Sequence, residues 1–351
     1  MIKFTDLSRC WQELKAELVP AYEEIHTSGM VANGKYRNLV EEQIKQITGR
    51  KHCRLTSSGT TAIQGALIAW DIIDKKVACT NYSYVASVSQ AALLNEVELH
   101  DVDQRGHMVL RDDTHADAVI PVSLFGNPVD YEGITSKINH GKVIVDCAQS
   151  LGAIYNDRPD GGMGECAVFS FATNKPVPTA GTQGALVWDD DSMCDRVTMA
   201  FNNGKLSRNS PIQSYGLNGH AFELQAAQIH FGLTRMAKWQ ARRTEISQHL
   251  IDEFRELPLR VITARPDTVS NWHKFVVVCD RRDELHDYLL RNGVDCQKHY
   301  TDDFDKHFGN GVGLPNTKSL CETVLSLPNH QWLRDEEVQI IASLTRQFFQ
   351  N

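Results

Sequence analysis

The sequence predicts an α/β protein with a mostly parallel sheet flanked by helices and a smaller C-terminal α+β domain. Three observations carry this. Short apolar runs alternate with helical patterns through the first half, as in βαβ units. From Glu223 the pattern becomes one long helical stretch, and beyond it strands and helices alternate again. At 351 residues the chain is long enough for one large domain and a smaller one.

In chain order, the periodicities predict a helix over about 59–72, a strand near 77–80, a helix over about 84–95 and a strand near 98–102. Then come AVIPVSLF at 118–125, a helix near 130–138 and KVIVD at 142–146, with CAVFSFAT and GALVW as further strands of the same sheet. The stretch ELQAAQIHFGLTRMAKWQARRTEISQHLIDEF, interrupted only by Gly232, reads as a connecting helix to about Arg255. Beyond it, KFVVVC is a strand, RDELHDYLLRNG a helix ending on a glycine cap, VDCQKHY a strand, and an amphipathic helix starts at about 334. This divides the chain into a large domain, 1–235, and a small one, 236–351.

A hydrophobic content of 42% and a charged content of 23% are ordinary for a globular protein. The 44 acidic against 36 basic residues give a net charge of −8, which argues against nucleic acid or an anionic membrane as principal partner. Nine cysteines, scattered singly, suggest neither a disulfide framework nor a zinc ribbon and fit a reducing cytoplasm. The opening MIKFTDLSRCWQELKAELV carries acids, unlike a secretory leader, and no apolar run approaches the ~20 residues that span a bilayer.

In a parallel α/β sheet ligands bind beyond the carboxyl ends of the strands, and three stretches deliver chemistry there. TSSGTTAIQGAL places Ser57, Ser58, Gly59, Thr60 and Thr61 at a helix N-terminus, which is either a phosphate cradle or a plain N-cap at Ser58. VIVDCAQSLGA ends a buried strand on Asp146, with Gln149 three residues on. The acid there either caps the following turn or awaits a cationic partner. FSFATNKPVPTAG ends a strand at Ser170 and holds Lys175 on a loop stiffened by Pro176 and Pro178; a lysine there is either solvated or a tuned amine nucleophile. Together the three match one ligand. Pyridoxal 5′-phosphate has a phosphate, a pyridine nitrogen that must stay protonated, and an aldehyde that a lysine captures.

Eight blocks in order, SSGTTAIQGAL, NYSYVASVSQAALLN, AVIPVSLFGNPVDYEGI, VIVDCAQSLGA, VFSFATNK, GLNGHAFELQAA, RDELHDYLLRNGVDCQKHY and VLSLPNH, resemble the sugar aminotransferases of the DegT/StrS group over nearly the whole chain. The resemblance implies fold-type I architecture, with a seven-stranded sheet, and a pyridoxal phosphate-dependent transfer of an amino group, from glutamate, to a keto group of a nucleotide-linked sugar. A keto-cyclitol or free keto-sugar is the alternative acceptor, and a catalytically silent cofactor-binding regulator the alternative of another class. By the same resemblance Lys175 carries the cofactor and shuttles the proton, Asp146 pairs with the ring nitrogen, Gln149 bonds the 3-hydroxyl, and Tyr84 stacks on the ring. Gly59, Thr60, Thr61 and Ser170 hold the phosphate, and Asn218 reaches the phosphate of a neighbouring subunit, so that a homodimer shares its sites. His299 and Tyr300 border the substrate pocket, and His330 is a weaker candidate. The chain departs from the group at His220, where an Arg is usual, and at Thr182 and Gln183, where an acid and a glycine are usual. His cannot imitate the bidentate contact of an Arg to an anion, so the substrate's anionic handle is the open question.

Overall fold

A computed structural model of the chain describes residues 1–138, 140–309 and 313–350. Asp6 starts helix α1 (Leu7–Ser28) by accepting hydrogen bonds from the backbone N–H groups of Ser8 and Arg9, and Gly29, at φ 69°, ends it. Leu14, Leu18, Ala21 and Ile25 form its buried stripe, and Val40 and Ile44 that of α2 (Lys35–Thr48).

The large sheet follows: β1 (His52–Thr56), α3 (Gly59–Ala69), β2 (Lys76–Thr80), α4 (Ala86–Leu94), β3 (Glu96–His100), β4 (Ala118–Ile120), α5 (Tyr131–Thr135) and β5 (Lys142–Asp146). A small hairpin of β6 (Ile154–Tyr155) and β7 (Arg158–Pro159) precedes β8 (Cys166–Ser170), β9 (Gly184–Trp188), α6 (Cys194–Phe201) and α7 (Glu223–Leu233). The sheet has seven strands in the order β1-β9-β8-β5-β4-β2-β3. Its pairings from β3 to β8 are parallel, while β9 runs antiparallel to both β8 and β1. All five residues of β9 are buried, as are Val143–Asp146 of β5, because helices cover both faces. Register sets the site: Asp146 lies beside Val168, and Ser170 and Thr56 both lie beside Gly184, so one end of the sheet carries the acid, the serine and the start of α3.

The rest comprises α8 (Met236–Phe254), β10 (Arg260–Val261), β11 (Thr268–Val269), β12 (Phe275–Val278), α9 (Arg282–Arg291), α10 (Asp305–Phe308), α11 (Pro315–Thr323), β13 (Val324–Leu327) and α12 (Asp335–Gln350). An antiparallel sheet, β10-β12-β13, packs with α8, α9 and α12 around Leu250, Phe275, Leu285, Leu325 and Ile341. Strand β11 instead joins β6, with Thr268 opposite Tyr155. Among the described residues no helix is long and apolar enough to cross a membrane.

Four sequence expectations change. The long connecting helix is two helices, broken at Thr234 and Arg235. There Arg235 donates to the Phe231 carbonyl and pairs with Glu17 of α1. Gly232 is not the break; a Cβ on it would lie 2.7 Å from Val177, so it lets α7 pass close to the Lys175 loop. VDCQKHY forms only single bridges, Val294 to Ile2 and Gln297 to Ser326. AVIPVSLF stops as a strand at Ile120, since Pro121 has no N–H to donate. Strand β1 was not anticipated, because HCRLT is a half-exposed edge strand without an apolar run.

Candidate active site

A cavity of about 430 Å³ opens at the carboxyl ends of β5 and β8, in the size range of small-molecule sites. It has two walls, one from the large sheet and one from the small.

The large-sheet wall begins at the N-terminus of α3. Ser58 caps the helix, its Oγ accepting from the Thr61 N–H at 3.0 Å, which leaves the N–H groups of Gly59 and Thr60 without intrahelical partners. The cap and the cradle are therefore the same structure. A Cβ on Gly59 would stand 3.0 Å from the Ser170 Cβ, and one on Gly184 2.4 Å from the Gly59 nitrogen, so two glycines let the helix start dock on the strand ends. Gly59, Thr60 and Ser170 line the cavity, whereas the Thr61 hydroxyl turns back to Ser57 and Ser58.

Asp146 is buried at the end of β5. Ser87 donates to its Oδ2 at 2.6 Å and the Ala148 N–H to its Oδ1 at 3.0 Å, so it orders the following turn and faces the cavity as well. Gln149, fully buried, accepts from the Phe125 N–H at 3.0 Å and donates to the Tyr300 hydroxyl at 3.1 Å. Lys175 sits on the loop after β8, which is held by Phe171 N–H to the Gln183 carbonyl and Thr179 N–H to the Phe171 carbonyl. Burial pushes the Lys175 amine below its ordinary value, opposed by the attraction of the Asp146 carboxylate. Tyr84, 57% exposed, stands at the mouth.

The small-sheet wall is Lys274, just before β12, with His299 and Tyr300. His299 contacts the Ser326 hydroxyl through Nδ1 at 3.0 Å and Lys274 Nζ through Nε2 at 3.3 Å. Burial first, then the charges of Lys274 and Lys175, push the imidazole down to about 2, so it is neutral and its Nε2 accepts from the lysine. Burial raises the Tyr300 phenol. The Tyr82 hydroxyl donates to the His299 carbonyl at 2.7 Å and accepts from the Tyr300 N–H at 3.1 Å, tying this wall to the other.

Four singled-out residues lie elsewhere. Asn218 is exposed, its backbone bridged to Asn202. His220 accepts from the Asn33 side chain at 3.2 Å, outside the cavity. Gln183 is buried and donates to the Phe222 carbonyl at 2.6 Å, a structural tie. His330 is buried on the far side of the Lys175 loop, bonded to the Lys3 carbonyl. Thr182 does line the cavity and bonds the Ser57 carbonyl. Sequence reading missed Ser87, Gly184 and Lys274. Only Lys274 carried a signal, a cation heading the apolar run FVVV.

The donor set fits pyridoxal 5′-phosphate: free N–H groups and hydroxyls for a phosphate, a buried carboxylate for a ring cation, and a desolvated amine for an aldehyde. Comparison with known proteins agrees. The chain is 29% identical over 346 residues to the dTDP-3-amino-3,4,6-trideoxy-alpha-D-glucose transaminase of Streptomyces venezuelae, covering 93% of this chain and 90% of that one. It is 28% identical over 365 residues to the erythromycin biosynthesis sensory transduction protein EryC1 of Saccharopolyspora erythraea, covering 98% of each. The crystal structure of S. venezuelae DesV in complex with a ketimine intermediate superposes with a TM-score of 0.94 at 26% identity, over 100% of this chain and 99% of that one. Residues 12–345 match the DegT/DnrJ/EryC1/StrS aminotransferase family, and the chain belongs to that family of pyridoxal phosphate-dependent aminotransferases.

Proposed function

We propose that the protein moves an amino group from L-glutamate to a keto group of a nucleotide-linked sugar. The observation that carries this reading is the meeting of Lys175, Asp146 and the α3 N-terminus in one cavity. Transaminases of dTDP- and UDP-linked sugars recur among the relatives, which supports the acceptor class.

When bound, pyridoxal 5′-phosphate supplies the electron sink that makes a substrate C–H bond acidic. The chain's residues do the rest. The N–H groups of Gly59 and Thr60, with Ser170, anchor the phosphate, and Asp146, held by Ser87 and Ala148, keeps the ring nitrogen protonated. Gln149 orients the ring edge and Tyr84 covers its face at the mouth. Lys175 holds the cofactor and moves the proton; burial lowers its amine pKa and so favours the unprotonated form. We assign residues 1–235 to a cofactor domain and 236–351 to a small domain that closes the substrate side. We further assign Asn218 to the phosphate of a partner subunit in a homodimer, and the chain, with its nine free cysteines, to the cytoplasm.

The test is to load the protein with pyridoxal 5′-phosphate, add L-glutamate and follow the visible absorbance. Loss of the visible band with release of 2-oxoglutarate is expected, followed by its return when 3-keto or 4-keto nucleotide sugars are supplied. A spectrum unchanged by glutamate would reject glutamate as the donor.

A further inference from the structure

Lys274 is a buried amine with no carboxylate partner among the described residues. Its side chain is 4% exposed. Its neighbours are the neutral His299 ring, 3.3 Å away, and the face of Phe4, whose centroid lies 5.0 Å from Nζ. Among the described residues no carboxylate forms an ion pair with it, although it shares the cavity with Lys175. A buried amine without a counterion is costly in either protonation state, and replacing it with an apolar side chain would be the more stable arrangement. Burial, and secondarily the charge of Lys175, hold its amine well below the ordinary lysine range. A group kept at that cost inside a ligand cavity is built for an anion that arrives with the ligand.

We propose that Lys274 receives the α-carboxylate of the amino donor, paired with it across the cavity while His299, accepting one ammonium hydrogen, aims the others. The inference rests on the transaminase reading above and names the group that selects its donor. Reach decides which anion is meant. In an amino acid the carboxylate carbon lies two bonds from the nitrogen being transferred, about 2.5 Å away, so it enters the interior with the reacting atoms. The diphosphate of a sugar nucleotide is separated from the keto carbon by the sugar ring, and its bulk belongs at the open mouth beside the exposed Tyr84. Lys274, almost wholly buried, is accessible to the first anion and closed to the second.

The experiment compares wild-type protein with Lys274→Met and Lys274→Arg, all loaded with cofactor, in the half-reaction with L-glutamate, L-alanine and 4-aminobutyrate. The last compound is glutamate without its α-carboxylate. Lys274→Met should lower kcat/KM for glutamate and alanine by about 10- to 150-fold, chiefly through KM, as expected for a lost hydrogen bond between charged groups. It should leave 4-aminobutyrate nearly unchanged, and Lys274→Arg should restore part of the loss. Without substrate the Met variant should be at least as resistant to urea as wild type. Calorimetric affinity of the pyridoxamine phosphate-loaded protein for 2-oxoglutarate should fall by the same factor. An unchanged preference for glutamate over 4-aminobutyrate, or an equal loss with all three amines, overturns the proposal. If the wild-type protein accepts no amine, the transaminase reading fails, and 2-oxoglutarate affinity alone then decides whether Lys274 is a carboxylate site.

Discussion

The two walls of the cavity are made in different ways. The large-sheet wall is fixed by backbone: Asp146 and Ser170 end buried, mutually registered strands, and Gly59 and Gly184 let the helix start lie against them with no room for a side chain. The small-sheet wall is fixed by side chains. Tyr82 and Gln149 reach across to Tyr300 and the His299 carbonyl, and Lys274, just before β12, has among the described residues a histidine as its side chain's polar partner. A rigid wall suits reaction chemistry, in which a misplaced proton donor is expensive, whereas a wall held by a few side chains can change with the substrate.

The largest expected effect tests the rigid wall. Lys175→Ala should lower turnover by about 10⁴-fold or more, at the upper end of what a positioned acid–base contributes. Folding should be unaffected, since the amine makes no hydrogen bond to the described residues. Circular dichroism, visible absorbance and activity check this together; wild-type absorbance and activity in the variant would remove Lys175 from the mechanism. Asp146→Ala comes next, at about 10²–10³-fold in kcat, the usual cost of removing one preorganised electrostatic contact. It also strips the partner from the buried Ser87 hydroxyl, so the same variant should be measurably less stable. An unchanged kcat with reduced stability would reduce Asp146 to a turn-former.

This contrast explains what was legible in the sequence. The rigid wall could be read because each contributor stands at the end of a local pattern: VIVD stops on its acid, SSGTT opens a helix, and FSFATNK leaves a strand. Strand β5 matches its expected span, 142–146, and β9 the GALVW stretch, since buried central strands read as continuous apolar runs. Lys274, His299 and Ser326 are brought together by the pairing of β12 with β13 and by the Gln297–Ser326 bridge, long-range events that leave no period in any one segment. The helix break at Thr234 and Arg235 was hidden for a related reason: it depends on the contact of Arg235 with α1, more than two hundred residues earlier. Thr182 and Gln183 looked like one departure, yet only Thr182 faces the cavity, and Gln183 anchors Phe222.

Asn218 belongs to neither wall within one chain, so it tests whether the site is complete without a partner. Asn218→Ala should weaken cofactor affinity by about 1.5–3 kcal/mol, one hydrogen bond to a charged group. Mixing Lys175→Ala with Asn218→Asp after subunit exchange should restore up to about a quarter of wild-type activity, because half the random dimers are mixed and each has one intact site. If exchange is demonstrated and no activity returns, Asn218 acts within its own subunit.

The smallest effect concerns the seam between the walls. Tyr82 is buried, and its hydroxyl both donates to the His299 carbonyl and accepts from the Tyr300 N–H. Tyr82→Phe keeps the ring, and with it the edge contacts to Phe125 and Tyr300, and deletes only the oxygen. The cost should be about 1–3 kcal/mol of stability, because two half-buried backbone groups lose their partner. If the walls are independent in function, the cofactor, held by the large sheet, should bind with unchanged affinity. KM for the amino donor should meanwhile rise several-fold as His299 and Lys274 lose their fixed position. Urea unfolding gives the first quantity, cofactor titration the second and half-reaction kinetics the third. A parallel loss of cofactor affinity and donor KM would show that the two walls move as one body, and the contrast between a fixed chemical wall and an adjustable recognition wall would fail.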